Sequence, residues 1–115
     1  MAKDEINRNL AVEVMGWEHI DFDGNDTYFI NKYIGPLTRE FIIYEKYWNP
    51  RENIGQAMEV LEKFNFCWYI FRNNEGLFGC NILISGQDFV TSKWQKTPQE
   101  AICNAAILAI GEAAK

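Results

Sequence analysis

The segment KTPQEAICNAAILAIGEAAK, residues 96–115, constrains the fold more than any other stretch. Thr97, Pro98 and Glu100 fall at the N-cap, first and third positions of a helix, a capping box with proline where its missing N–H is harmless. From Ala101 to Ile110 the helix is apolar almost all the way round, with Asn104 the one polar interruption. A helix lying on a sheet buries a single stripe, so this one requires a second cover. The first helix of the chain or a second copy of the protein would supply it. Self-association, as a homodimer or higher oligomer, is therefore expected through this helix or through the ring-rich arm at 21–47.

The sheet comes from FCWYIFR (66–72), LFGCNILIS (77–85) and DFVTSKW (88–94), β-forming runs separated by the turn signals NNEG (73–76) and GQ (86–87). Such short connections impose antiparallel neighbours. Upstream, KDEINRNLAVEVMGW carries Ile6, Leu10 and Val14 at four-residue steps with Gly16 as C-cap, predicting a helix over 3–15. Ile54, Ala57, Met58 and Leu61 predict a second helix ending near Phe64, with Asn49 as N-cap and Pro50 in its first turn. Residues 18–48, with turn signals at Asp23-Gly24 and Gly35-Pro36, read as a short strand or extended arm and a loop, Glu40 to Tyr47 being a further candidate strand. The expected fold class is α+β: one domain, 1–115, with an antiparallel sheet of three or more strands sandwiched between helices.

Composition narrows the function. Apolar residues make up 48% of the chain and charged ones 23%, the balance of a globular domain. The opening MAKDEINRNL lacks the apolar run of about 7 to 15 residues of a signal peptide, and no run reaches the length of about 20 that spans a bilayer. A cytoplasmic protein with no membrane partner is expected. Cys67, Cys80 and Cys103, odd in number and among apolar neighbours, suit reduced, buried thiols. A net charge of -5 argues against duplex nucleic acid, whose binding relies on many Lys and Arg. A small anionic ligand stays compatible with it.

Catalytic and metal chemistry find little support. His19, Asp21 and Asp23 alternate as on one strand face, but the calcium-loop pattern they begin has Asp26 where glycine belongs and Lys32 where a bidentate Glu belongs. A solvated acidic turn is the commoner outcome. One histidine and cysteines without CxxC spacing argue against zinc. Ser85 and Ser92 sit in no nucleophile elbow, Glu59 and Glu62 read as a solvated helix face, and Gly76 and Gly79 form no phosphate loop. No enzyme, catalytic residue, metal or cofactor is expected.

Recognition by stacking survives. In YEKYWNPRENIGQ (44–56), Tyr47, Trp48 and Arg51 combine ring faces with a guanidinium at a helix entrance, the chemistry of a nucleotide pocket. The commoner arrangement makes Trp48 a hydrophobic staple and leaves Arg51 merely exposed. Trp94, beside Lys93 and Lys96, divides evenly between the two roles, and Trp17 is expected in the core. Arg39 and Arg72 are further arginines that a nucleotide site would use. The candidate ligand-binding set is Tyr47, Trp48, Arg51, Trp94 and Arg39.

Three segments, LAVEVMGW, NPRENIGQAMEVLEKF and KTPQEAICNAAILAI, together resemble the phage ABA-sandwich domain, a small family encoded by bacteriophages and prophages. The resemblance implies a helix–sheet–helix sandwich and a phage setting, and no chemistry; the cytoplasm expected above is then that of the host bacterium. Phage proteins of similar size and α/β character include sponges that soak up cyclic-ADP-ribose or cyclic-oligonucleotide immune signals. By that analogy the expected function is an anti-defence sponge for a small nucleotide-like ligand. The alternative is a protein–protein interaction module acting on a host or phage protein, and a purely structural phage protein comes third.

Overall fold

A computed structural model of the chain describes residues 3–22, 26–31, 40–64, 67–85 and 88–113. Packing divides the chain into two compact units, Met1–Asn49 and Pro50–Lys115. The fold class is α+β, and every pairing between its named strands is antiparallel.

The first unit begins with α1 (Lys3–Asn9), whose last turns, Leu10–Val14, widen into a π-helical segment. Met15 N–H donates to Leu10 O at 3.0 Å, and Gly16 ends the run at φ 75°, the left-handed geometry that glycine adopts without strain. Three strands follow, β1 (Trp17–Phe22), β2 (Asp26–Asn31) and β3 (Phe41–Tyr44), in the order β1-β2-β3. β3 falls within the candidate strand Glu40 to Tyr47, while β1 and β2 are two strands where one short strand or an arm was expected. The pattern is muted because both faces carry rings: Trp17, His19 and Phe29 on one, Tyr28 and Tyr44 on the other. The turn signals Asp23-Gly24 and Gly35-Pro36 lie outside the described residues. A single 3-10 turn, Glu45–Tyr47, leads out of β3.

In the second unit α2 (Ile54–Glu62) is capped by Asn53 and not by Asn49. Asn53 Oδ1 accepts Gln56 N–H at 3.0 Å, while Asn49 Oδ1 is engaged elsewhere, by Asn7 Nδ2 at 3.1 Å. Strands β4 (Trp68–Arg72), β5 (Phe78–Ser85) and β6 (Asp88–Thr91) form the expected meander, with β5 in the centre. Asn73 folds the first turn: its side-chain oxygen accepts Glu75 N–H and Leu77 N–H, each at 2.9 Å, and Gly76 takes φ 82°. The residues of the second turn, 86–87, lie outside the described residues.

Helix α3 (Pro98–Ala113) starts as its sequence dictates, with Glu100 N–H donating to Thr97 Oγ1 at 3.2 Å. It packs on β5 and also against α2, so α2 is the second cover that its all-round apolar surface demanded. Ala101, Ile102, Cys103, Ala105, Ala106 and Ala109 are buried together with Cys80 and Ile82 of β5 and Ala57, Val60 and Leu61 of α2. Asn104, the polar interruption, accepts Lys93 N–H at 2.8 Å and thereby ties the end of β6 to the helix. Of the cysteines Cys80 and Cys103 are buried and free, and burial pushes each thiol up to about 12; Cys67, expected to be buried, is exposed ahead of β4. No described helix is long and apolar enough to cross a membrane.

Candidate functional site

The sequence-derived candidates are distributed over both units. Trp48 is 2% exposed and belongs to the core of the first unit, so it offers no face to a base. Its ring meets Trp17 edge-on at 4.8 Å, and its Nε1–H donates to Asn7 O at 2.7 Å. Tyr47, by contrast, is 62% exposed. Arg51 is half-buried and Trp94 is 50% exposed, both in the second unit, and Arg39 lies outside the described residues. Trp17 is partly buried against Phe29 and Trp48. His19 and Asp21 share a face of β1, Asp23 lies outside the described residues, and among the described residues no three His, Cys, Asp or Glu gather as a metal would require.

Glu45, which the sequence did not single out, organises the first unit. Its carboxylate accepts Arg8 Nε at 2.8 Å, Arg8 Nη2 at 3.1 Å, Thr27 Oγ1 at 2.7 Å and His19 Nε2 at 3.2 Å. An ionised carboxylate can only accept, so the His19 ring carries a proton on Nε2. The Arg8 guanidinium chiefly, then Thr27 and His19, outweigh desolvation and hold the Glu45 carboxyl at about 2, against an ordinary 4.5. The sequence signal was the alternation of Trp17, His19 and Asp21, which sends His19 to the same face as Thr27 and Phe29.

Beside this cluster opens a cavity of about 370 Å³ lined by Asn7, Arg8, Thr27, Glu45, Lys46, Trp48 and Asn49. Asn7 is 6% exposed, and its Oδ1 is buried without a hydrogen-bond partner. At the rim the Lys46 ammonium stands 5.2 Å from the Tyr47 ring centre and 5.6 Å from that of Tyr44. Tyr44 continues into a surface cluster with Phe41, at 4.9 Å, and Tyr28, at 6.4 Å.

A second set of rings lies in the second unit, on the sheet face opposite Cys80 and Ile82. Tyr69 reaches Phe89 at 5.6 Å, and Phe71 meets Trp94 perpendicularly at 5.4 Å, so rings from both edges lean over the central strand. Gly79 is required beneath them: a Cβ there would lie 2.4 Å from the Phe71 ring. Asn81, opposite Tyr69 and Thr91, has a buried Oδ1 with no partner.

Comparison with known proteins agrees with this architecture. The family described as the phage ABA sandwich domain matches residues 8–107. A phage protein from Bacillus cereus ATCC 14579, known from a 2.0 Å crystal structure, superposes with a TM-score of 0.65 at 17% identity, over 96% of this chain and 89% of that one. That likeness establishes a shared fold. Among curated proteins none matches the chain.

Proposed function

From the premise that this chain belongs to the phage ABA-sandwich family, we propose that it serves its phage as a non-catalytic binding protein, an anti-defence sponge that withholds a small nucleotide-like immune signal in the host cytosol. The observation that supports this reading is the exposure of Tyr47, with the Lys46 ammonium 5.2 Å from its ring centre and a cavity lined by the neighbouring Lys46 and Trp48. Stacking on an aromatic face contributes about 1 to 3 kcal/mol per base, and an ammonium attracts phosphate. The non-catalytic part is supported by the state of the reactive groups. Thiols held at about 12 stay protonated, and a carboxylate at about 2 with four donors is too weak a base to take a substrate's proton. A thermal-shift screen against cyclic nucleotides and ADP-ribose cyclisation products is the test. At a hundredfold excess over its dissociation constant a true ligand stabilises the fold by about 2.7 kcal/mol. Tyr47→Ala should abolish the shift, and a screen in which no nucleotide raises the melting temperature overturns the reading.

A protein-interaction module is the second reading, favoured by the exposed Tyr69, Phe89 and Trp94 on one sheet face. Exposed aromatic clusters are the usual anchors of protein interfaces. Under it, Tyr69→Ala and Trp94→Ala abolish binding to the target while Tyr47→Ala does not. Self-association belongs to the proposal through the Tyr28, Phe41 and Tyr44 cluster. Light scattering at micromolar concentration would then return twice the chain mass of 13.4 kDa, and a monomer mass would exclude it.

A further inference from the structure

We propose that the cavity of the first unit is a binding site for a small molecule with an N–H donor at its leading end and an anionic group at its trailing end. The proposal rests on the reading of the chain as a small-ligand binder and specifies where, and in which orientation, the ligand sits.

The volume of about 370 Å³ falls within the range of about 300 to 1,000 Å³ typical of small-molecule sites. One of its lining residues, Asn7, carries a buried side-chain oxygen whose demand for a donor is unmet. Asn7 Nδ2 donates to Asn49 and the Asn7 backbone oxygen accepts from Trp48, which fixes the side chain while its Oδ1 stays unpartnered. Buried acceptors in folded proteins are nearly always satisfied, so this oxygen awaits an N–H or O–H from outside the chain. Glu45 is the better-supplied acceptor, because its Oε1 already accepts from Arg8, Thr27 and His19 and its Oε2 from Arg8.

Charge sets the other end. Two cationic side chains, Arg8 and Lys46, line the cavity against one carboxylate, and Lys46 lies at the exposed edge while Asn7 lies deep. The unpartnered acceptor thus belongs to a buried lining residue and the surplus positive charge to an exposed one. A cationic ligand meets Lys46 with the wrong sign, and an apolar one leaves Asn7 Oδ1 unpaired. A ligand whose planar amide or amino edge enters first and whose phosphate or carboxylate stays at the rim satisfies both.

Nuclear magnetic resonance on the labelled full chain tests this with three probes: AMP, which has both groups, adenosine and inorganic phosphate, which have one each. The Trp48 indole N–H and Asn7 carboxamide signals should shift and saturate with millimolar AMP. Adenosine and phosphate should each bind about tenfold more weakly or worse. Lys46→Ala should cost AMP about tenfold and remove its advantage over adenosine. Asn7→Leu should abolish binding; if that variant does not fold, Lys46→Ala and the Trp48 signal decide the matter. Trp48 and Asn7 signals unmoved by AMP, or equal AMP affinity in Lys46→Ala, overturn the cavity. An immune nucleotide that raises the melting temperature while shifting only Tyr69 and Trp94 overturns the cavity and leaves the sponge reading standing. AMP bound in the cavity with no immune nucleotide raising the melting temperature does the reverse.

Discussion

The largest side chains buried in the second unit, Ile82, Leu61, Ile102 and Val60, are aliphatic and belong to three stacked elements, β5, α3 and α2. In the first unit Leu10 and Phe29 share the interior with a buried asparagine, an indole hydrogen-bonded to its backbone, and a carboxylate gripped by three side chains. Apolar layers stabilise in proportion to buried area and leave little room for a ligand. A polar interior depends on every partner being present, and among the described residues each unit has one buried side-chain oxygen without a partner, Asn7 Oδ1 in the first and Asn81 Oδ1 in the second. Only the first of these belongs to a residue lining the described cavity, and under the proposed function that difference separates a scaffold from the region that recognises the ligand.

If that contrast holds, the two interiors respond differently to substitution. Ile82→Ala, at a fully buried position of β5, should cost about 2 to 5 kcal/mol by urea denaturation, the range for removing a packed aliphatic side chain. Trp48→Phe keeps most of the ring and removes the donor to Asn7 O, so about 1 to 3 kcal/mol is expected. A Trp48→Phe cost well below 1 kcal/mol would mean that the first unit is held by packing alone.

The acid limb of the stability curve comes next in size. Glu45 has a folded-state value of about 2 against 4.5, so the folded state binds its proton less readily than the unfolded state. Its contribution is complete above about pH 5 and is lost as the pH falls toward 2. Glu45→Gln should flatten that limb and cost about 1 kcal/mol at pH 7, a figure kept small because Arg8 is half exposed. An unchanged acid limb would remove Glu45 from the centre of the first unit. An effect of similar size belongs to the scaffold: Thr97→Ala removes the cap of α3 and should cost about 1 kcal/mol without altering the acid limb.

The same contrast explains what the sequence disclosed. Strands β4 to β6, the turn at Asn73 and the capped α3 follow from local rules, since alternation, turn residues and capping each act within a few positions. In the first unit β3 fell within the candidate strand Glu40 to Tyr47, while β1 and β2 were not told apart, because rings on both faces blur the alternation. Asn49 looked like a cap beside Pro50 and is instead the partner of Asn7, 42 residues away. Tyr47 kept the exposure a ligand site requires, whereas Trp48 did not, because its indole N–H found a backbone acceptor on α1 that adjacency in sequence could not reveal. The cavity was illegible for the same reason, as its lining comes from α1, β2 and the turn after β3.

Native-state hydrogen exchange on the full chain, with and without saturating AMP, tests the central claim that the polar unit is the ligand-binding region. Added protection is expected at amides of α1, β2 and the Glu45–Tyr47 turn, with β4, β5, β6 and α3 unchanged. Protection confined to β4–β6, or none anywhere, would contradict it.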